Sequence, residues 1–412
     1  MQIRCVERRR RVRCASRRSK FAILDNNPSR LPSPNQGDVV PNRRQFVKSV
    51  IGVSAGALLL GRESLLRVPN GWPQIVTGAV KRREVRIGGK RVKTVDAHCY
   101  VIVPEVSDML KGTNLESAFE NAANIGGPEL NLLGPHRVQL MDQEGIDVEA
   151  VSINAFWYSA DRDLATRLID TQNQKLATMC AANPDRSVGF ASVALQFPDL
   201  AAQQMEEGIR KYGLRGAAIG GSVNGEELSN LKYDPFWAKA EELQALIFMH
   251  PQDSANATGI AKRAQGNGAL ANVIGNPLET TLFLSHIIME GTLDKFPDLK
   301  LMAAHGGGYL PSYVDRLDHG CPTLPQQCRG TLKKKPSEYM RQIYVDSLVF
   351  SPEALRHLIA VCGAGQIGIG TDYPYPWTTT PVDHILGTPG LSNADKEAML
   401  GGTMCKLLNI PT

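Results

Sequence analysis

The chain has 412 residues, of which 42% are apolar, 6% aromatic and 21% charged, with 46 Lys and Arg against 41 Asp and Glu. That apolar content supports a sizeable core in one large domain or two ordinary ones, and it excludes a mainly disordered or coiled-coil chain. No uninterrupted apolar run reaches the roughly 18 residues that a spanning helix needs, which excludes a polytopic membrane protein.

The net charge of +5 is unevenly placed. Residues 1–48 hold 13 Lys or Arg against Glu7, Asp25 and Asp38, a net +10, so the remaining 364 residues carry −5. A nucleic-acid partner requires a basic stripe on the folded domain, and this balance does not supply one, so none is expected.

From the N-terminus, Asn42-Arg-Arg-Gln-Phe-Val-Lys48 runs straight into Ser49-Val-Ile-Gly-Val-Ser-Ala-Gly-Ala-Leu-Leu-Leu60. Paired arginines, a bulky residue two further on and a short, Gly/Ala-diluted apolar stretch read as a twin-arginine export signal. The alternative is a basic tail before a buried helix. The expectation is a leader and linker over residues 1–80, with export of an already folded protein to a bacterial periplasm. Where the leader does not act, the protein is cytoplasmic. Some 40 residues precede the arginine pair, which places a possible true start downstream of Met1. Cys321 and Cys328 flank a Pro-rich loop and can bridge in an oxidising compartment or stay as free thiols.

The body, residues 81–412, alternates strand and helix signals. A small hairpin around Gly88-Gly89 leads into Val95-Asp-Ala-His98. Short β-branched or apolar runs follow at 148–153, 188–193, 216–219, 245–249, 299–303, 343–346 and 366–370. Stretches with i, i+3, i+4 apolar spacing separate them at 161–182, 199–212, 235–243, 277–295 and 351–362. Eight strand candidates alternating with helices predict parallel βα units closed into a distorted (β/α)8 TIM barrel. No G-x-G-x-x-G follows the first strand, and no P-loop pattern is present, so a nucleotide fold lacks its fingerprint.

Four runs end in a residue able to ligate a metal or move a proton: His98, His250, His305 and Asp372. In a barrel the carboxyl ends of all strands meet on one face, so residues far apart in sequence converge there. Three imidazoles and a carboxylate suit a divalent ion that keeps an open position.

The chain from about Arg82 onward resembles the amidohydrolase-2 family, whose reference members are the aminocarboxymuconate-semialdehyde decarboxylases. The resemblance rests on Val95-Asp-Ala-His98, Met141-Asp-Gln-Glu-Gly-Ile146, Asn183-Pro-Asp-Arg186, Tyr233-Asp-Pro-Phe-Trp237 and Phe248-Met-His-Pro251. It continues through Gly275-Asn-Pro-Leu-Glu-Thr-Thr281, Lys295-Phe-Pro-Asp-Leu-Lys300, Ala304-His-Gly-Gly-Gly308 and Gly370-Thr-Asp-Tyr-Pro374. It implies a barrel with a divalent metal at its mouth, zinc or else manganese, and a homodimer. Residue by residue it implies His98, His250 and Asp372 as ligands, with His305 as the base beside an activated water and Asp372, as ligand or proton carrier, helping to return a proton. It further implies Arg137 as the grip on a substrate carboxylate and Tyr375 as an aromatic against the substrate. Trp157, after a strand end, is read either as pocket lining or as core.

One position departs from the family. The second histidine of its H-x-H pair is Tyr100 here, in His98-Cys99-Tyr100. Alternate strand residues share a face, so Tyr100 can take the lost ligand's place while Cys99 faces away. Three arrangements follow: a site of His98, His250 and Asp372, a site completed by Tyr100, or a relative without metal. The function implied is decarboxylation of a small unsaturated or aromatic acid, through activated water or direct chelation of the substrate. The alternatives are hydrolysis of an ester, lactone or amide, and metal-free binding of a small acid.

Overall fold

The computed structural model describes residues 81–126, 134–252 and 254–412, all within the unit Val68–Thr412. The segment read as a twin-arginine signal, with the rest of the expected leader over residues 1–80, lies outside the described residues. Among the described residues no helix is long and apolar enough to cross a membrane.

The chain enters through a two-stranded hairpin, β1 (Arg86–Ile87) and β2 (Lys90–Arg91). It reverses at Gly88 and Gly89, whose φ of +55° and +84° favour residues without a Cβ. Asp147 fastens this hairpin to the barrel: its Oδ1 takes Arg82 at 2.6 Å and Arg91 at 3.0 Å, and its Oδ2 accepts from Thr94 N at 3.0 Å.

The barrel strands are β3 (Val95–Tyr100), β4 (Val148–Ser152), β5 (Ser187–Gly189), β6 (Ala191–Ser192) and β7 (Gly216–Ile219). After a short antiparallel pair, β8 (Ser222–Val223) and β9 (Glu226–Glu227), come β10 (Leu246–Met249), β11 (Lys300–Ala303), β12 (Ile343–Asp346) and β13 (Ile367–Gly368). Pairing is parallel throughout the barrel, in the order β3-β4-β5 and β6-β7-β10-β11-β12-β13. Two links close the ring. Around Phe190 the chain passes from one neighbour to the other: Phe190 N donates to Val151 O at 3.0 Å and Arg215 N donates to Gly189 O at 2.8 Å. Beyond β13 the pairing continues onto β3 through bridges Asp96 to Ile369 and Cys99 to Tyr373.

These strands are buried along nearly their whole length, as parallel strands between a filled bore and a coat of helices must be. The helices supply the coat with one apolar stripe each. In Pro198–Arg210, Leu200, Ala201, Ala202, Met205 and Gly208 face inward while Arg210 and the acids face out. Phe190 and Phe248 stack in the bore with centroids 5.8 Å apart, and Phe248 lies 5.2 Å from the His98 ring. The two rings thus pack beneath His98 as an aromatic layer under the barrel mouth.

The expected eight strands are present, with two local differences. The run at 188–193 is split at Phe190 because its backbone serves two neighbours in turn, and the last strand shortens where Gly370 and Asp372 turn the chain into the mouth. Cys321 and Cys328 form a disulfide with Cα atoms 5.7 Å apart, tying the end of the helix Leu310–Thr323 to the loop that follows. Of the two readings left open by the sequence, the bridge is the one found.

Candidate active site

The strand carboxyl ends bring His98, His250, His305 and Asp372 together, with one potential ligand atom of each within 4.8 Å of the others. His98 comes from β3, and its ring lies 5.3 Å from that of His250 and 5.2 Å from that of His305. His250 follows β10 and is held by its backbone N–H on Ile219 O at 2.9 Å. The His250 and His305 rings are 5.1 Å apart.

Two of the four occupy left-handed backbone: φ is +58° at His305 and +62° at Asp372. For a residue with a Cβ this costs about 1–2 kcal/mol, and the surroundings hold it in place. Asp372 N donates to His98 O at 2.8 Å, which locks the eighth strand's turn to the first strand. The glycines after His305 serve the same turn. At Gly308 a Cβ would sit 2.2 Å from Pro277 O, so only glycine lets the loop approach the helix Gly275–Met289. At Gly370 a Cβ would meet the Cβ of Asp346 at 2.6 Å and that of His98 at 3.0 Å. The bare backbone there leaves room for the His98–Asp346 pair.

Asp346, the last residue of β12, is the residue that the sequence reading did not single out. Its Oδ2 lies 2.6 Å from His98 Nδ1 and accepts from His305 N at 2.7 Å. Its Oδ1 accepts from Gly306 N at 2.8 Å and Leu348 N at 3.0 Å. One buried carboxylate thus orients one imidazole and pins the backbone of a second. The signal was available: 343–346 was recognised as a strand, and it ends in an acid as the other site strands end in His or Asp. Asp96 was missed too; it accepts from Thr371 Oγ1 at 2.5 Å and His98 N at 3.0 Å. Burial, with Glu149 nearby, pushes Asp96 up to about 7.

Burial works to lower His98, but Asp346 and Asp372 (3.2 Å from Nε2) overcome it and raise the group to about 10. The two buried carboxylates demand a positive charge at this ring, which a proton or a metal ion can supply. His250 is held well below the ordinary range by burial and by the other two imidazoles, and His305 is lowered by burial and His98. Both therefore present neutral rings with a lone pair. Neither ring nitrogen of His250 has a hydrogen-bond partner among the described residues, nor has Nδ1 of His305. Buried nitrogens without partners are costly, and converging ones fit a divalent ion.

Tyr100 is buried against this cluster. Its hydroxyl bonds His98 Nε2, and its ring lies 5.0 Å from His250 and 6.2 Å from Tyr375. Burial, reinforced by Asp372 and Asp346, keeps the phenol well above its usual pKa. Tyr375 stands beside Tyr100 at the edge of the cluster. Cys99 points away, with Sγ toward Ala150 O at 3.6 Å.

Two residues read as candidates for substrate contact, Arg137 and Trp157, lie fully buried. Arg137 is 0% exposed: its Nε donates to Glu149 Oε2 at 2.6 Å, its Nη1 to Tyr100 O at 2.7 Å, and its guanidinium covers the Tyr373 ring at 4.6 Å. Glu149 supplies the counter-charge such a buried cation needs, so Arg137 braces β3 against the Asp372–Tyr373 turn, with only Nη2 left without a partner among the described residues. Trp157 is 0% exposed and donates from Nε1 to Val193 O at 2.9 Å, which makes it core.

A parallel eight-stranded barrel with a His/Asp cluster at its carboxyl face defines a metal-dependent enzyme of the amidohydrolase type. The comparisons agree. The family model described as Amidohydrolase matches residues 95–410, and the chain belongs to that family. It is 31% identical over 277 residues to the 2-amino-3-carboxymuconate-6-semialdehyde decarboxylase of Dictyostelium discoideum, covering 66% of this chain and 76% of that one. The crystal structure of 5-carboxyvanillate decarboxylase from Sphingomonas paucimobilis superposes with a TM-score of 0.70 at 27% identity, covering 78% of this chain and all of that one, 100%. A dihydroxybenzoic acid decarboxylase from Polaromonas sp. JS666, solved with bound manganese and an inhibitor, shares the fold at a TM-score of 0.66 and 24% identity, covering 77% of this chain and 97% of that one.

Two outcomes are expected. Asp346→Asn should weaken divalent-metal binding about 10- to 100-fold, measured by titration calorimetry, because the amide cannot accept from every donor that the carboxylate serves. Arg137→Met should lower the free energy of unfolding in urea by about 3–5 kcal/mol, and adding Glu149→Gln should recover most of it by removing the stranded buried charge.

Proposed function

We propose that this amidohydrolase-family enzyme is a metal-dependent decarboxylase acting on a small aromatic or unsaturated carboxylic acid. The observation that carries the reading is the convergence of His98, His250, His305 and Asp372 at the barrel mouth. The decarboxylases to which the chain is similar give that cluster its chemistry. His98, His250 and Asp372 would hold the ion, zinc or manganese, with Tyr100 beside His98. Such an ion supplies Lewis acidity toward a water or a substrate oxygen.

The chain's own residues provide the rest. Breaking the carbon–carbon bond leaves its electron pair on the carbon that carried the carboxylate, and a proton must replace the departing CO2. His305 lines the recess at the mouth and holds a neutral ring, so it can take a proton early in the reaction and return it to that carbon. Asp346 keeps the His305 backbone in its left-handed turn through this exchange. The aromatic floor beneath the cluster excludes water from below, which strengthens each electrostatic contact above it. Each relative described above is a decarboxylase, which favours this reading over hydrolysis.

We further propose that residues 42–60 direct export of the folded protein to the periplasm. The Cys321–Cys328 bridge supports this, since disulfides persist in oxidising compartments.

The enzyme loaded with manganese or zinc should release CO2 from benzoates bearing a hydroxyl beside the carboxylate, followed by gas-phase detection. Chelation should abolish release, metal should restore it, and His305→Ala should reduce kcat by about 100-fold or more with the metal retained. Metal-loaded protein that hydrolyses esters and releases no CO2 would sink the proposal. For export, residues 1–80 fused to a folded reporter should carry it to the periplasm of a bacterial host, and Arg43→Lys with Arg44→Lys should hold it in the cytoplasm.

A further inference from the structure

Large aromatic side chains are rarely left open at the surface without a reason, and two stand together at this barrel mouth. Phe350, after β12, is 68% exposed and Trp377, after β13, is 41% exposed. Their ring centroids lie 6.2 Å apart at an interplanar angle of 48°. Both line the recess that contains His305, a cavity of about 180 Å³ walled also by Asn276, Tyr309 and Leu348. Both also line a second cavity of about 300 Å³ that reaches Gly370 and His384. Leu348, Phe350 and Trp377 are therefore the partition between two recesses, only one of which touches a histidine of the cluster, His305.

Volume decides what fits. A cavity of about 150 Å³ accommodates one benzene ring. The His305 recess, at about 180 Å³, takes a single ring with a small substituent, and the shared partition stands between it and the space beyond.

We infer that Phe350 and Trp377 form a ring-binding wall that stacks the flat face of the substrate, and that Trp377 sets the size limit at one ring. The inference rests on the decarboxylase reading for the identity of the acid and extends it to the residues that select the ring. Stacking against an indole favours a flat π-system over a puckered ring of equal size. Removing the indole opens the Trp377 part of the partition and makes room there for a second ring.

The other tryptophans make the binding directly observable. Trp157 and Trp237 are 0% and 1% exposed, so dissolved iodide does not reach them. Trp72 lies outside the described residues, and the Trp377→Phe variant subtracts its signal. The experiment uses the metal-loaded full chain, with benzoate, cyclohexanecarboxylate and 1-naphthoate as probes, read by calorimetry and by iodide quenching. Benzoate should bind, should shield the Trp377 signal from iodide, and should bind on the order of tenfold more tightly than cyclohexanecarboxylate. Naphthoate should bind the wild type at least about tenfold more weakly than benzoate, and Trp377→Ala should reverse that order.

Equal binding of naphthoate and benzoate to the wild type, unshielded Trp377 at saturating benzoate, or no binding of any probe would each overturn the inference. A CO2 assay with hydroxybenzoates separates the two readings. Shielding without CO2 release would leave the ring wall standing and remove the decarboxylase, whereas turnover with Trp377 unshielded would do the reverse.

Discussion

The geometry of the active centre depends on the carboxylate of Asp346. It is buried, accepts backbone hydrogen bonds from His305, Gly306 and Leu348, and faces His98 Nδ1 at 2.6 Å. A carboxylate with this many donors is tightly oriented, and it fixes what bonds to it. It selects the His98 ring orientation that turns Nε2 toward the cluster. It also stabilises a backbone turn at His305 that a residue with a Cβ would not adopt unaided. Strands β3, β11 and β12 contribute one residue each to this arrangement, so the barrel must close before the site exists.

Closure in turn depends on groups outside the site. Arg137 and Glu149 form a buried pair behind β3, and the guanidinium reaches both Tyr100 O and the Tyr373 ring. The link joins the first strand to the turn after the eighth, where Asp372 sits. Gly370 keeps that turn close to Asp346 and His98, since even a methyl group would collide with both. Rigid placement of ligating groups is what lets a metal site choose its geometry, and here the rigidity comes from ion pairing and bare backbone behind the His/Asp cluster.

Tyr100 gives the centre its individual character. In place of a second imidazole the strand offers a buried phenol bonded to His98, its pKa raised by burial and by the neighbouring carboxylates. A protonated phenol adds a hydrogen-bonding group to the cluster without adding a lone-pair nitrogen. The ring faces available to a ligand then belong to the mouth: Tyr375 near the cluster, and Phe350 and Trp377 at the rim.

The sequence by itself determined the alternation of strands and helices, because parallel strands buried on both faces and amphipathic helices leave distinct apolar periods. It also determined which residues end the strands, and that places His98, His250, His305 and Asp372 on one face of any barrel the chain can form. The family follows from the same motifs. The sequence did not determine how individual polar groups are spent. Arg137 looks like an anion grip until Glu149, 12 residues later and on another element, is seen to occupy it. Asp346 looks like a strand end until His98, the His305–Gly306 turn and Leu348 are seen to converge on it, and Trp157 could face either way until Val193 O claims its N–H. These are contacts between residues far apart in the chain, and hydrogen-bond partners across a barrel leave no periodicity in the sequence. Only the tertiary structure decided them, because burial makes each polar group find a partner and the fold alone determines which partner is within reach.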